Sequence, residues 1–113
     1  MFIVTLLSIL GANSIALPLS PAFPAHELQY ILDHSRASLL LSSTKFESKA
    51  KEVLETPLIT KPKHVRLEKK IGGISRDVKL EGAQGGDGGL MVYTSGTTSR
   101  PVNCAALTVE IIY

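Results

Sequence analysis

Apolar residues in this chain fall into short blocks separated by proline, glycine and hydroxyl-bearing residues. Phe2 to Leu10 is an almost unbroken apolar run that suits a buried helix. Gly11 and Asn13 suit its C-terminal stop, and Ser14 to Leu17 suit a short buried strand entering Pro18. Pro18, Pro21 and Pro24 then impose an extended connection, because each fixes its own φ and biases the preceding residue away from helix. Leu28, Ile31 and Leu32 stand at helical spacing and predict a helix from about Ala25 to His34, with Pro24 placed for its first turn. Three consecutive leucines within Ala37 to Leu41, closed by Ser42 and Ser43, read as a strand buried on both faces.

The pattern then returns to helix. Phe46, Ala50, Val53 and Leu54 form an i, i+4, i+7, i+8 stripe, with Ser43 and Thr44 as candidate caps. Leu58 and Ile59 are expected to continue as a strand, and Val65 and Leu67 as an alternating edge strand. Seven glycines between Gly72 and Gly89 leave no firm element from Lys69 to Asp87. Leu90 to Tyr93 is a short apolar run that feeds directly into Thr94-Ser95-Gly96-Thr97-Thr98, which is too polar and too glycine-interrupted to continue the strand. Alternating helix and strand predict an α/β fold, a partial three-layer sandwich with a mostly parallel sheet.

At 113 residues, the chain has the size of one small folding unit. Its 44% hydrophobic and 19% charged content belongs to the globular class. Twelve basic against ten acidic residues give a net charge of +2, too slight to imply a polyanionic partner. Low aromatic content without tryptophan also counts against a base-stacking surface, so no nucleic-acid partner is expected. Lys61, Lys63, Arg66, Lys69 and Lys70 cluster, but Glu68 and Pro62 interrupt them, and a solvated loop or edge strand is expected there.

Cys104 is the only cysteine and excludes an intramolecular disulfide; with no histidine near it, it reads as a buried or incidental thiol. His26, His34 and His64 lack metal-motif spacing and are expected at the surface. Glu27 and Asp33, on the helix, are expected to serve solubility and charge balance, so neither a metal nor an acid/base pair is assigned. Met1 to Leu10 resembles the apolar core of a signal peptide, yet no Lys or Arg precedes it and the first charge is Glu27. The run is too short for a confident membrane span, and the expected location is intracellular, with secretion the weaker alternative.

Hydroxyls around a glycine after a buried strand suit either an ordinary turn or a phosphate grip, in which the glycine lets backbone N–H groups approach and the hydroxyls donate to anionic oxygens. The cluster is not a Walker loop, which requires Gly-x-x-x-x-Gly-Lys-Ser/Thr. Tyr93-Thr94-Ser95-Gly96-Thr97-Thr98-Ser99-Arg100-Pro101 resembles the signature loop of the adenylate-forming superfamily, which includes acyl-CoA synthetases, luciferases and peptide-synthetase adenylation domains. Ala16 to Leu32 resembles the segment that precedes this loop by a comparable distance in those enzymes. The likeness covers about Met1 to Pro101 and leans toward the acyl-CoA and malonyl-CoA synthetase branch.

The resemblance implies residues 1–101 as a partial AMP-binding domain, an incomplete N-terminal subdomain, and 102–113 as a divergent tail. It implies a ligase that joins a carboxylic acid to ATP, releasing pyrophosphate, and passes the acyl group to coenzyme A, with Mg2+ accompanying the ATP. Thr94, Ser95, Gly96, Thr97 and Thr98 would hold the β and γ phosphates. Where the family has glycine, lysine and glycine, this chain has Ser99, Val102 and Asn103, which removes the loop's fixed positive charge and restricts its backbone. Past Pro101 the family pattern is lost, as expected of a truncated product, and in family members the groups that read adenine, ribose, acid and thiol lie downstream. The chain alone is therefore expected to be inactive, with a noncatalytic remnant or interaction fragment as the alternative, and exposed sheet edges are expected to promote self-association.

Overall fold

The computed structural model describes residues 2–69 and 89–93, and the backbone of 108–112. Helix α1 (Phe2–Gly11) leads into strand β1 (Ile15–Leu19), helix α2 (Ala25–Ser35) and strand β2 (Leu39–Ser43). A 3-10 turn (Thr44–Phe46), helix α3 (Glu47–Leu54) and strand β3 (Lys63–Leu67) follow, then strands β4 (Gly89–Leu90) and β5 (Thr108–Ile112). The five strands form one sheet in the order β3-β2-β5-β1-β4, and every pairing in it is parallel. Helices α2 and α3 pack on one face and α1 on the other, so the fold is the expected three-layer α/β arrangement.

Period-two alternation explains how one strand serves both layers. Leu17 and Leu19 of β1 and Leu40 of β2 join Leu28, Ile31, Leu32, Ala50 and Val53 in the core beneath α2 and α3. Ala16 and Leu41, one residue out of phase, meet Ile9 of α1 on the opposite face. The leucine run is thus a two-sided strand, with Leu40 fully buried and Leu41 nearly so.

Helix stops follow from backbone geometry. Asn13 has φ 56°, the left-handed conformation expected where α1 must turn into β1. Arg36 takes the same conformation, φ 55°, at the C-cap of α2, and its N–H donates to Asp33 O and Leu32 O. Pro24 is the N-cap of α2, one position outside the first turn.

β1 runs through Pro18, two residues beyond Ala16, whose carbonyl accepts from Met91 N on the β4 side at 2.8 Å. The N–H missing from Pro18 therefore faces the same side, where β4 no longer pairs, and the strand tolerates the proline.

Three local expectations are corrected. Leu58 and Ile59 form no strand, because the N–H groups of Ile59 and Thr60 are taken by Asp33 Oδ1 at 3.0 and 3.1 Å. Ser43 makes no side-chain cap; it precedes the 3-10 turn, and Phe46 is the N-cap of α3. Of the apolar run Leu90 to Tyr93 only Leu90 lies in a strand, with Gly89 before it, since the chain leaves the ladder after the bond from Met91. The 69–87 segment lies outside the described residues except for Lys69, as do Cys104 and the boundary placed at 101.

Candidate functional site

The residues with the clearest chemistry, Thr94, Ser95, Gly96, Thr97 and Thr98, lie outside the described residues, as do Ser99, Arg100, Val102 and Asn103. The approach to them is described. β4 lies beside β1 at the sheet edge, with Gly89 opposite Ile15 and Leu90 opposite Ala16. Met91 and Tyr93 pack against the core beneath α2 and α3.

Tyr93, the residue immediately before Thr94, is fixed by more than packing. Its hydroxyl lies 2.8 Å from Nδ1 of the half-buried His34, in the last turn of α2. The two rings meet edge to face at 5.9 Å and 89°. Tyr30, one turn earlier on α2, stacks on His34 at 5.6 Å and 24°. A helix face spaced i, i+4 thereby builds an aromatic seat for the residue that opens the hydroxyl-rich loop. Sequence reasoning placed His34 at the surface and left Tyr30 unassigned; the signal that could have found them was their shared face on α2, one turn apart.

Asp33, next to His34, is a second tether. Its Oδ1 accepts from Ile59 N, Thr60 N and Thr60 Oγ1, the last at 3.0 Å, while Thr60 Oγ1 also lies 3.2 Å from Leu32 O. This replaces the solubility role expected of Asp33. Glu27 and His26 are exposed, in keeping with the surface placement expected for His26.

The third histidine, His64 on β3, is half-buried and lies 2.8 Å through Nε2 from Oγ of Ser42 on β2. Ser42 is fully buried, and the pair links adjacent strands β2 and β3. Arg66 bonds Glu47 at 3.2 Å and also Glu68, which absorbs one cation of the basic cluster. The Lys51 ammonium, then the Arg66 guanidinium, hold the Glu47 carboxyl below the usual carboxylate range. Among the described residues no group of three His, Cys, Asp or Glu side chains is arranged to hold a metal ion, and no helix is long and apolar enough to cross a membrane.

The chain is similar to a CoA ligase of Gibberella moniliformis, 48% identical over 103 residues that cover 88% of this chain and 17% of the ligase. It is 34% identical over 100 residues to a mitochondrial malonate-CoA ligase of Xenopus laevis, covering 80% of this chain and 16% of that protein. With bacitracin synthase 3 of Bacillus licheniformis it shares 33% identity over 99 residues, 88% of this chain and 2% of the synthase. The chain thus spans about a sixth of the two ligases and far less of the synthase. No solved structure matches it. The family model described as AMP-binding enzyme matches residues 1–103, and with strand β4 leading into the hydroxyl-rich loop this makes the chain a member of the AMP-binding enzyme family.

Proposed function

We propose that this chain supplies the phosphate-holding part of an ATP-dependent acid-thiol ligase of the acyl-CoA synthetase type. The observation that carries the reading is the run Thr94-Ser95-Gly96-Thr97-Thr98 directly after the seated Tyr93, within the stretch matched by the family model. The names of two relatives, a CoA ligase and a malonate-CoA ligase, support coenzyme A as the thiol and a carboxylic acid as co-substrate. The donor set fits a nucleotide tail: four hydroxyls and the approachable backbone at Gly96 present only neutral donors to the β and γ phosphates. ATP would arrive with Mg2+ to offset its charge, which this loop does not do unaided.

Within the reaction, these residues bind and orient. Activation of a carboxylate demands that the acid be held in line with the α-phosphate and that water be kept from the adenylate, which alignment and preorganised dipoles achieve. Val102 stands where a cation would strengthen the grip, and Arg100 provides the nearest alternative charge in sequence. A loop that holds phosphates without a site for the acid binds nucleotide without turning it over. This reading places the chain as a nucleotide-binding segment whose ligase chemistry depends on further protein.

Titration of ATP against the chain and its Val102→Lys variant tests the proposal. The variant is expected to bind on the order of fivefold more tightly, the worth of about 1 kcal/mol for a partly exposed charge pair. Thr97→Ala is expected to weaken binding by a similar factor. Equal affinities for all three proteins would sink the reading. Pyrophosphate release from the chain alone, with carboxylic acids and coenzyme A present, is expected to stay at background.

A further inference from the structure

Residues 91–93 lie outside any strand, and Met91 N–H donates to Ala16 O at 2.8 Å as the chain leaves the sheet. That bond fixes a point and not a heading, because the φ and ψ angles of each later residue remain soft. Tyr93 gives a second point. Its ring packs against the core beneath α2 and α3, and its hydroxyl lies 2.8 Å from His34 Nδ1, while Val92 between the two anchors is 60% exposed. Two anchors two residues apart, at most about 7 Å along the chain, set the line on which Thr94 begins.

His34 can serve as a fixed anchor because it is itself held. Its ring stacks on Tyr30, and its neighbours in sequence tie the last turn of α2 to the rest of the molecule: Leu32 is fully buried, and Asp33 accepts from Ile59 and Thr60. Burial alone would be served by phenylalanine at position 93. The hydroxyl adds direction. Hydrogen bonds to phosphate oxygens form over a narrow range of about 2.7–3.2 Å, so a loop entry that wanders by an ångström forfeits several at once.

We infer that His34 is a positioning residue for nucleotide binding, which acts through the Tyr93 hydroxyl to hold the start of Thr94-Ser95-Gly96-Thr97-Thr98 in the heading that a phosphate chain requires. The inference rests on the reading of that run as the phosphate grip. A chain whose loop entry is in place only part of the time binds with its affinity reduced by that fraction, and loss of a bond of ordinary net strength lowers the fraction to about a fifth.

Calorimetric titration of ATP with Mg2+ into the intact chain and four variants, each checked for folding by denaturant unfolding, tests it. Tyr93→Phe and His34→Phe keep both rings and remove the bond, and each is expected to weaken ATP binding about fivefold. The double variant is expected to lose about the same factor and not the product, since both changes break one bond. His34→Asn puts an amide atom where Nδ1 stands and is expected to recover most of the affinity despite losing the ring, which a purely packing role would not allow. Leu67→Ala, on the opposite face of the sheet, is expected to bind ATP as the parent does. Parent affinity in both phenylalanine variants, a multiplicative loss in the double variant, no recovery by His34→Asn, or an equal loss in Leu67→Ala overturns the inference and leaves the phosphate grip standing. A parent chain that binds no ATP overturns the grip and this inference with it.

Discussion

The two faces of the sheet are built from similar strands and end in different states. Beneath α2 and α3, ten of the described residues are buried in one cluster, with Leu17, Leu28, Leu32 and Leu40 fully excluded from solvent. On the opposite face the buried cluster among the described residues is Ile9, Ala16 and Leu41, and an open cavity of about 440 Å3 lies between α1 and the β2–β3 half of the sheet. Leu39, Leu41 and Leu67 line it from the sheet side and Val4, Thr5, Ser8 and Ile9 from the helix. The strands do not cause this difference, because β2 sends a leucine to each face.

The helices cause it. α2 and α3 carry charges on their outer sides, so burial of Leu28, Ile31 and Leu32, or of Ala50 and Val53, fixes their rotation. α1 has no charged residue and buries only Thr5 and Ile9, leaving Ile3, Val4 and Leu7 60–67% exposed. A helix apolar on all sides satisfies one side against a single sheet and leaves the rest for other cover.

Core truncation gives the widest separation between the faces. Leu40→Ala is expected to cost about 3 kcal/mol, within the range for a filled core site, while Leu67→Ala at the open cavity costs about 1 kcal/mol or less. Denaturant unfolding of both variants measures this, and equal losses would abolish the distinction between closed and open faces. Next in size is the Asp33 tether on the closed side. Asp33→Ala is expected to cost about 2 kcal/mol by leaving the N–H groups of Ile59 and Thr60 without their acceptor, while the Thr60 hydroxyl keeps Leu32 O, and Asp33→Asn, which keeps a carbonyl oxygen, less than half of that. Equal losses for the two would mean that the carboxylate, and not its acceptor geometry, matters.

Polar substitution of the open face should be nearly silent in stability and visible in association. Ile3→Gln, Val4→Gln and Leu7→Gln are each expected to stay within about 0.5 kcal/mol of the parent. The triple variant is expected to sediment at a smaller apparent mass than the parent if α1 drives self-association, and an unchanged profile would assign that role to the sheet edges. The smallest effect concerns Glu47, whose carboxyl is held low by Lys51 and Arg66 on the exposed side of α3. A lowered folded-state value contributes stability at and above the ordinary carboxylate range and loses it as pH falls toward the lowered value. Acid titration of Glu47→Gln should therefore show a slightly shallower loss in that window, with the parent and variant parallel at neutral pH.

The layers of the closed face were legible because their signals are local. The spacing of Leu28, Ile31 and Leu32 named α2 and its buried side together, the stripe from Phe46 to Leu54 named α3, and three consecutive leucines named a two-sided strand. The loop from Tyr93 to Thr98 was equally legible as a family signature, and the match over residues 1–103 agrees with it. Leu58 and Ile59 misled because apolar character was read as strand, whereas Asp33, some 26 residues away, claims the backbone donors a strand would use. His34 misled for a related reason: its partner Tyr93 lies 59 residues along the chain, and no periodicity within α2 reports it.

By itself, the sequence determined the alternation of helix and strand, the two-sided character of β2 and the family, since each is written in neighbouring residues whose spacing or chemistry is self-sufficient. Only the tertiary structure decided the strand order, the insertion of β5 between β1 and β2, the level of Glu110 with Leu17 and Leu40, and the seat of Tyr93 on His34. Strand pairing is a contest among backbones that all offer the same hydrogen-bonding groups, and its outcome depends on which apolar faces can be buried at once, a property of the assembled layers and not of any one segment.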